Sequence, residues 1–200
     1  MYHSIRLSVQ KTPEWYADNG IVLHQNETVL RIDSAKSCVF TSQGREVAYD
    51  RLVLATGSRS STIPAKNLDL KNIFPFRSIH DTQQMLEQAK TAKRAVVVGG
   101  GFLGLEAAWG LSQCGVQVSV VHRGKWLLNR QLDQTAGQML ERSLIERGLH
   151  FELGSEIESF VGEGKVAGAH LKNGKHLACD MVVVATGITP NAEIGFQAGL

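Results

Sequence analysis

Gly99, Gly101 and Gly104 satisfy the spacing G-x-G-x-x-G inside the stretch VVVGGGFLGLEAA. In a turn of this kind the first glycine permits a tight bend. The second lets the main chain approach a pyrophosphate, and the third lets a helix pack closely on a strand. The start of that helix offers unpaired N–H groups and partial positive charge to phosphate oxygens. The chain has 20 glycines, so the spacing needs context. Residues 94–98 read as a short buried strand before the turn. Leu103, Ala107, Ala108 and Leu111 then mark a helix that stops near Gly115, and residues 117–121 form a second strand. A strand, this turn and a helix within a βαβ unit of about thirty residues predict a dinucleotide-binding turn.

The end of the second strand bears on which dinucleotide. NAD-binding turns of this type place Asp or Glu there, to accept hydrogen bonds from ribose hydroxyls. Here His122, Arg123 and Lys125 occupy the position, with no carboxylate. Arginine forks onto a 2′-phosphate, which a carboxylate would repel. The trio therefore favours NADPH over NADH. The alternative is that Arg123 and Lys125 are solvated loop charges and His122 a polar strand end.

The elements around this unit are duplicated. DRLVLATG at 50–57 returns as DMVVVATG at 180–187, and QGREVAYD at 43–50 returns as NGKHLACD at 173–180. Gly57 and Gly187 stand 130 residues apart, as do Gly44 and Gly174. Each copy predicts a β-hairpin turning at Gln43-Gly44 or Asn173-Gly174, because glycine accepts positive φ without steric cost. Each hairpin feeds an apolar run, 52–55 or 182–185, of the kind that forms a strand buried on both faces. Each run ends in Ala-Thr-Gly, where small residues let a ligand come close. Beyond these, Thr12-Pro13-Glu14 opens a helix stopped by Gly20, and residues 20–24 read as a strand. Residues 61–76 read as a crossover without period, Ser78 to Asp81 as a capping box, and Asp133 as the cap of a helix ended by Gly148.

Composition excludes several function classes. A net charge of +2 gives no bulk case for nucleic acid or a membrane surface. The longest apolar stretch, 95–111, holds Glu106 and five glycines and is too short to span a bilayer. The first ten residues show no secretory signal, so a cytoplasmic protein is expected. Cys38, Cys114 and Cys179 form no CxxC, no CxxxxC and no zinc spacing, so no metal site is expected. No side chain stands out as a catalytic acid, base or nucleophile.

The order hairpin, ATGS, crossover, RxxxD, VVVGGGFLGLEAA, second hairpin, ATGxxPN resembles the pyridine nucleotide-disulfide oxidoreductase superfamily over essentially all 200 residues. The resemblance implies an α/β fold. It consists of a Rossmann-like NAD(P)-binding domain (77–200) with a β-hairpin and meander insert, plus part of a related FAD-binding domain (1–76). It implies FAD and NAD(P)H as cofactors, with hydride passing from nicotinamide to flavin. Ala55, Thr56 and Gly57 would lie by the FAD, and Ala185, Thr186 and Gly187 in the nicotinamide domain. Phe102 would gate the nicotinamide pocket, Leu103 would be a further cofactor-binding residue, and Glu106 would stand near the nicotinamide amide. Residues 127–149 are most similar to the flavin module of NAD(P)H nitrite reductase large subunits. Rubredoxin reductases and nitrate reductase flavin subunits follow. The expected partner is an electron-acceptor centre, either a siroheme and iron–sulfur part or a small redox protein, and a homodimer is possible. No FAD fingerprint precedes the first hairpin, so the chain is expected to be a fragment that does not retain FAD. The rival reading is a non-catalytic dinucleotide-binding module.

Overall fold

The computed structural model describes residues 11–200; the stretch read for a secretory signal lies outside them. Local chemistry sets the first elements. Thr12 accepts the N–H of Trp15 and Pro13 occupies the first turn of α1 (Pro13–Asp18). Strands β1 (Val29–Asp33), β2 (Cys38–Thr41) and β3 (Glu46–Ala48) form an antiparallel sheet in the order β1-β2-β3. The β2–β3 turn has Gly44 at φ 76°, with its N–H on Thr41 O at 3.1 Å.

The remaining elements in chain order are β4 (Ser58–Ser60), β5 (Ile73–Pro75), α2 (Ile79–Ala89), β6 (Arg94–Val98), α3 (Phe102–Gln113) and β7 (Gln117–His122). They continue with α4 (Gln134–Ile145), β8 (His150–Leu153), β9 (Ile157–Val161), β10 (Gly168–Leu171), β11 (His176–Ala178), β12 (Met181–Val184), β13 (Ile188–Pro190) and α5 (Glu193–Gln197). Contacts divide the chain into two compact units. One holds the described residues up to Thr56 with Asn191–Leu200; the other is Gly57–Pro190. The sequence reading put the boundary after residue 76 instead. Residues 58–76 belong with the second unit because β4 pairs with β13 and β5 pairs with β12.

The second unit is built on a parallel sheet ordered β5-β12-β6-β7-β8. Alternation along β6 assigns its faces. Ala95 and Val97 pack with Met85 and Ala89 of α2 and Ala107, Ala108 and Leu111 of α3. Val96 and Val98 pack against Ile157, Phe160, Val166, Ala169 and Leu171 of the β9–β11 meander and the chain joining its strands. Each buried valine contributes about 1.5–3 kcal/mol relative to exposure. Covering both faces is what a parallel sheet requires. Asp180 accepts the N–H groups of Lys93 and Arg94, which fixes the start of β6.

The duplication is visible in space. Gly174 repeats the turn of Gly44, with φ 86° and its N–H on Leu171 O at 3.0 Å. β4 and β13, which follow the two repeats at the same offset of 130 residues, pair antiparallel with each other, Arg59 opposite Thr189.

Two expected strands are absent. Residues 52–55 form no strand, and Val53 is 85% exposed. The copy at 182–184 is a fully buried strand because β5 and β6 flank it. Among the described residues no strand pairs with the first run. Residues 20–24 are likewise not a strand, and Val22 is exposed. Within the predicted crossover 61–76, β5 is an edge strand, the place where Pro75 is tolerated.

Candidate functional site

The glycine turn between β6 and α3 is shaped by clearances that no larger residue would leave. Gly99 has φ 125°, and a Cβ there would lie 2.4 Å from Ala185 O. A Cβ on Gly104 would lie 1.9 Å from Gly99 O, so α3 and the turn are in close contact. Gly101 differs. It is the N-cap of α3, its φ is an ordinary −88°, and nothing lies within 4 Å of its missing Cβ. No side chain caps α3, which leaves its first N–H groups facing that open space. A pyrophosphate fits this cradle.

The space is the floor of a cleft of about 560 Å³. Residues 98–103 line it, with 121–123, 128–131, 155–157, 185–187 and 61–64. Phe102 and Leu103, at the start of α3, expose 58% and 43% of their surface, so large apolar side chains stand free at the cleft. Thr186 Oγ1 donates to Ser61 O at 3.4 Å and Ser61 N–H donates to Gly187 O at 3.0 Å, fixing the chain where the second ATG turns.

At the other end, β7 delivers His122 and Arg123. The half-buried His122 ring accepts the Gly100 N–H on Nδ1 at 3.1 Å, and its Nε2 meets Asn129 Oδ1 at 3.2 Å. Burial pushes the imidazole below its usual pKa, against the bond to Asn129, and the Arg123 charge pushes the same way. His122 is thus neutral here, whereas the sequence reading counted it as a candidate cation. Arg123 is exposed at the cleft. Glu156, a carboxylate at the same cleft, is ion-paired with Lys172, which holds it below the usual carboxylate range. Ser155 is 5% exposed and its Oγ has no partner, an orphaned hydroxyl at the cleft wall.

Of the residues expected from sequence, Gly99, Gly101, Phe102, Leu103, His122, Arg123, Ala185, Thr186 and Gly187 line one cleft. Gly104 supports it from beneath. Glu106 and Lys125 are exposed and are not among the lining residues. Neither are Ala55, Thr56 and Gly57, which lie in irregular, exposed chain. Residues 61–64, 128–131 and 155–157 were not expected. Asn129, one polar residue after Leu127 and Leu128, was a usable signal; nothing in the sequence sets Ser155 apart.

The pyridine nucleotide-disulphide oxidoreductase family matches residues 6–200. The NAD(P)H nitrite reductase of Bacillus subtilis (strain 168) is 43% identical over 187 residues, 94% of this chain and 23% of that protein. The assimilatory nitrate reductase electron transfer subunit of the same organism is 40% identical, over 94% of this chain and 24% of that protein. Among solved structures, a ferredoxin reductase of Rhodopseudomonas palustris superposes with a TM-score of 0.89 at 28% identity, over 95% of this chain and 47% of that one. The chain spans about a quarter of these curated relatives and about half of the ferredoxin reductase. That family uses FAD and NAD(P)H. With a Rossmann-type glycine turn, a parallel sheet covered on both faces and a match over nearly its whole length, the chain belongs to the pyridine nucleotide-disulphide oxidoreductase family.

Proposed function

We propose that this chain is the nicotinamide-binding part of an NAD(P)H-dependent flavoprotein reductase that passes hydride to FAD and electrons onward. The whole protein is read as a nitrite reductase large subunit, with a ferredoxin or rubredoxin reductase or a nitrate reductase flavin subunit as the next choice. The observation that carries the reading is the open cradle over Gly101 at the uncapped start of α3.

The geometry of the cleft supports the roles proposed for its lining residues. The Gly101 main chain and the first N–H groups of α3 bind the pyrophosphate. Phe102 and Leu103 shield the nicotinamide end from water, and Ala185, Thr186 and Gly187 give its ring a floor without bulky side chains. Glu106, exposed and outside the cleft lining, is assigned to the nicotinamide amide by the family resemblance alone. Arg123, aided by Lys125, meets the adenosine end and favours a 2′-phosphate. Bound there, the dinucleotide supplies the hydride; the protein supplies orientation and electrostatics. Ala55, Thr56 and Gly57 are the proposed flavin edge, but among the described residues they form no cleft that would seat a flavin.

The acceptor is proposed to be a redox centre of the same whole protein or a small redox protein. Supporting this, one relative is named an electron transfer subunit, and a putidaredoxin reductase solved with putidaredoxin superposes at a TM-score of 0.88 and 30% identity. No described helix is long and apolar enough to cross a membrane, and the protein is proposed to be cytoplasmic.

Titration calorimetry of the 200-residue chain with NADH and NADPH tests the reading. Wild type binds. Gly101→Val, which the backbone accepts without strain, fills the cradle and abolishes binding while the melting temperature holds. Equal affinity in the two proteins would place the ligand elsewhere.

A further inference from the structure

His122 is enclosed by main chain that only glycine could supply. A Cβ on Gly100 would lie 2.7 Å from the ring's Cγ, and one on Gly124 would lie 2.5 Å from Nε2 and 2.9 Å from the Asn129 side chain. Neither glycine is part of the G-x-G-x-x-G spacing, so both are explained by the ring rather than by the ligand. The ring touches the turn through Nδ1, which accepts the Gly100 N–H at 3.1 Å. Its Nε2 faces an amide oxygen of Asn129 at 3.2 Å, and an oxygen can only accept. Those two bonds select the tautomer with hydrogen on Nε2. The loop that carries Asn129 then closes on the same glycine, for Leu128 N–H donates to Gly100 O at 3.0 Å. Leu128 adopts φ 50°, a left-handed conformation that a branched apolar residue takes only when its surroundings impose it. Both polar main-chain groups of Gly100 are therefore tied to the end of β7 and the loop after it. Gly100 immediately precedes Gly101, whose main chain faces the open cradle.

We propose that His122 is a positioning residue. As a neutral strut it sets the shape of the phosphate turn, and it acts equally on phosphorylated and unphosphorylated nicotinamide dinucleotides rather than contacting a 2′-phosphate. This rests on the dinucleotide reading given above. Charge alone excludes the other role in this geometry: a proton on Nδ1 would set two donors face to face across the Gly100 bond. Arg123, one residue on, repels a second positive charge, and Glu156 is already paired with Lys172. Discrimination by phosphate is left to Arg123.

Two measurements decide this. Nitrogen-15 NMR of the imidazole at neutral pH should show the Nε2–H tautomer. Dissociation constants for NADH and NADPH are then compared across wild type, His122→Leu, His122→Asn and Arg123→Ala. The leucine variant leaves the Gly100 N–H without a partner, and it should weaken both dinucleotides by the same factor, on the order of tenfold. Asparagine places Oδ1 where Nδ1 was and should recover most of that loss. Arg123→Ala should weaken NADPH alone. A loss in His122→Leu confined to NADPH, or a charged or Nδ1–H ring at neutral pH, overturns the strut. If His122→Leu does not fold, the tautomer and the asparagine variant still decide. Wild type that binds neither dinucleotide would defeat the functional reading, while the tautomer would still judge the strut.

Discussion

The half-buried imidazole of His122 gives the chain a pH signature that its carboxylates do not share. Burial lowers the folded-state pKa of His122 below the ordinary histidine value of about 6.5. As pH falls through that value the unfolded chain takes up a proton that the folded chain refuses. The stability present above pH 6.5 is then lost toward the folded pKa. Four carboxyls are also held low: Glu14 by a main-chain bond, Glu27 by Thr41, Asp33 by the Lys36 N–H and Glu156 by Lys172. They act in the same direction, but only from about pH 4.5 downward. Urea unfolding between pH 7.5 and 5 therefore separates the histidine from these carboxyls. Stability should decline with acid in wild type and decline less in His122→Asn. A wild-type curve flat across that window would mean that the ring is not buried as described.

Helix α3 shows how one element can need glycine at one position and merely tolerate it at another. Gly104 meets Gly99 O at 1.9 Å through any added Cβ, whereas Gly110, exposed on the same helix, meets nothing within 4 Å. Gly104→Ala should destabilise the protein and separate α3 from the phosphate turn. Gly110→Ala should stabilise it by about 0.5–1 kcal/mol, because alanine loses less backbone freedom on folding. Chemical denaturation of both variants checks the pair; equal effects would mean that the turn and helix are not in contact. Such elements were legible in the sequence where their signals are local. The caps at Thr12, Ser78 and Asp133, the glycine turns at Gly44 and Gly174, and the βαβ unit all rest on neighbours in the chain. The strand predicted at 52–55 failed because an apolar run becomes a strand only when other strands flank it, and that is not written in the run itself. Residues 155–157 entered the site unannounced for the same reason: only the ordering of β7 and β8 brings them to the cleft wall.

For the molecule as a whole, burial follows surroundings rather than residue type. Val53 and Val183 hold the same place in the two repeats, yet one is 85% exposed and the other 0%. Val183→Ala should cost roughly 2–3 kcal/mol from lost burial and the cavity left behind. Val53→Ala should change stability by less than about 0.5 kcal/mol. Matched unfolding curves give the comparison, and similar costs would mean that residues 52–55 are packed after all. The chain covers about a quarter of its nitrite and nitrate reductase relatives, so the cleft described here is the proposed contribution of one part to a longer electron path.

The β4–β13 ribbon says something about ancestry. Arg59 faces Thr189, the position 130 residues later, and Ser58 and Ser60 face Pro190 and Ile188 in mirrored order. A strand that pairs in symmetric register with its positional counterpart has the pattern of an isologous contact, the kind formed between identical subunits. Such a contact needs one sequence to make both sides. It can join two separate copies of an ancestral protein as readily as it joins two halves of one chain. A fusion of those copies would inherit the docking edge already made, and the register of this ribbon is the trace it would leave.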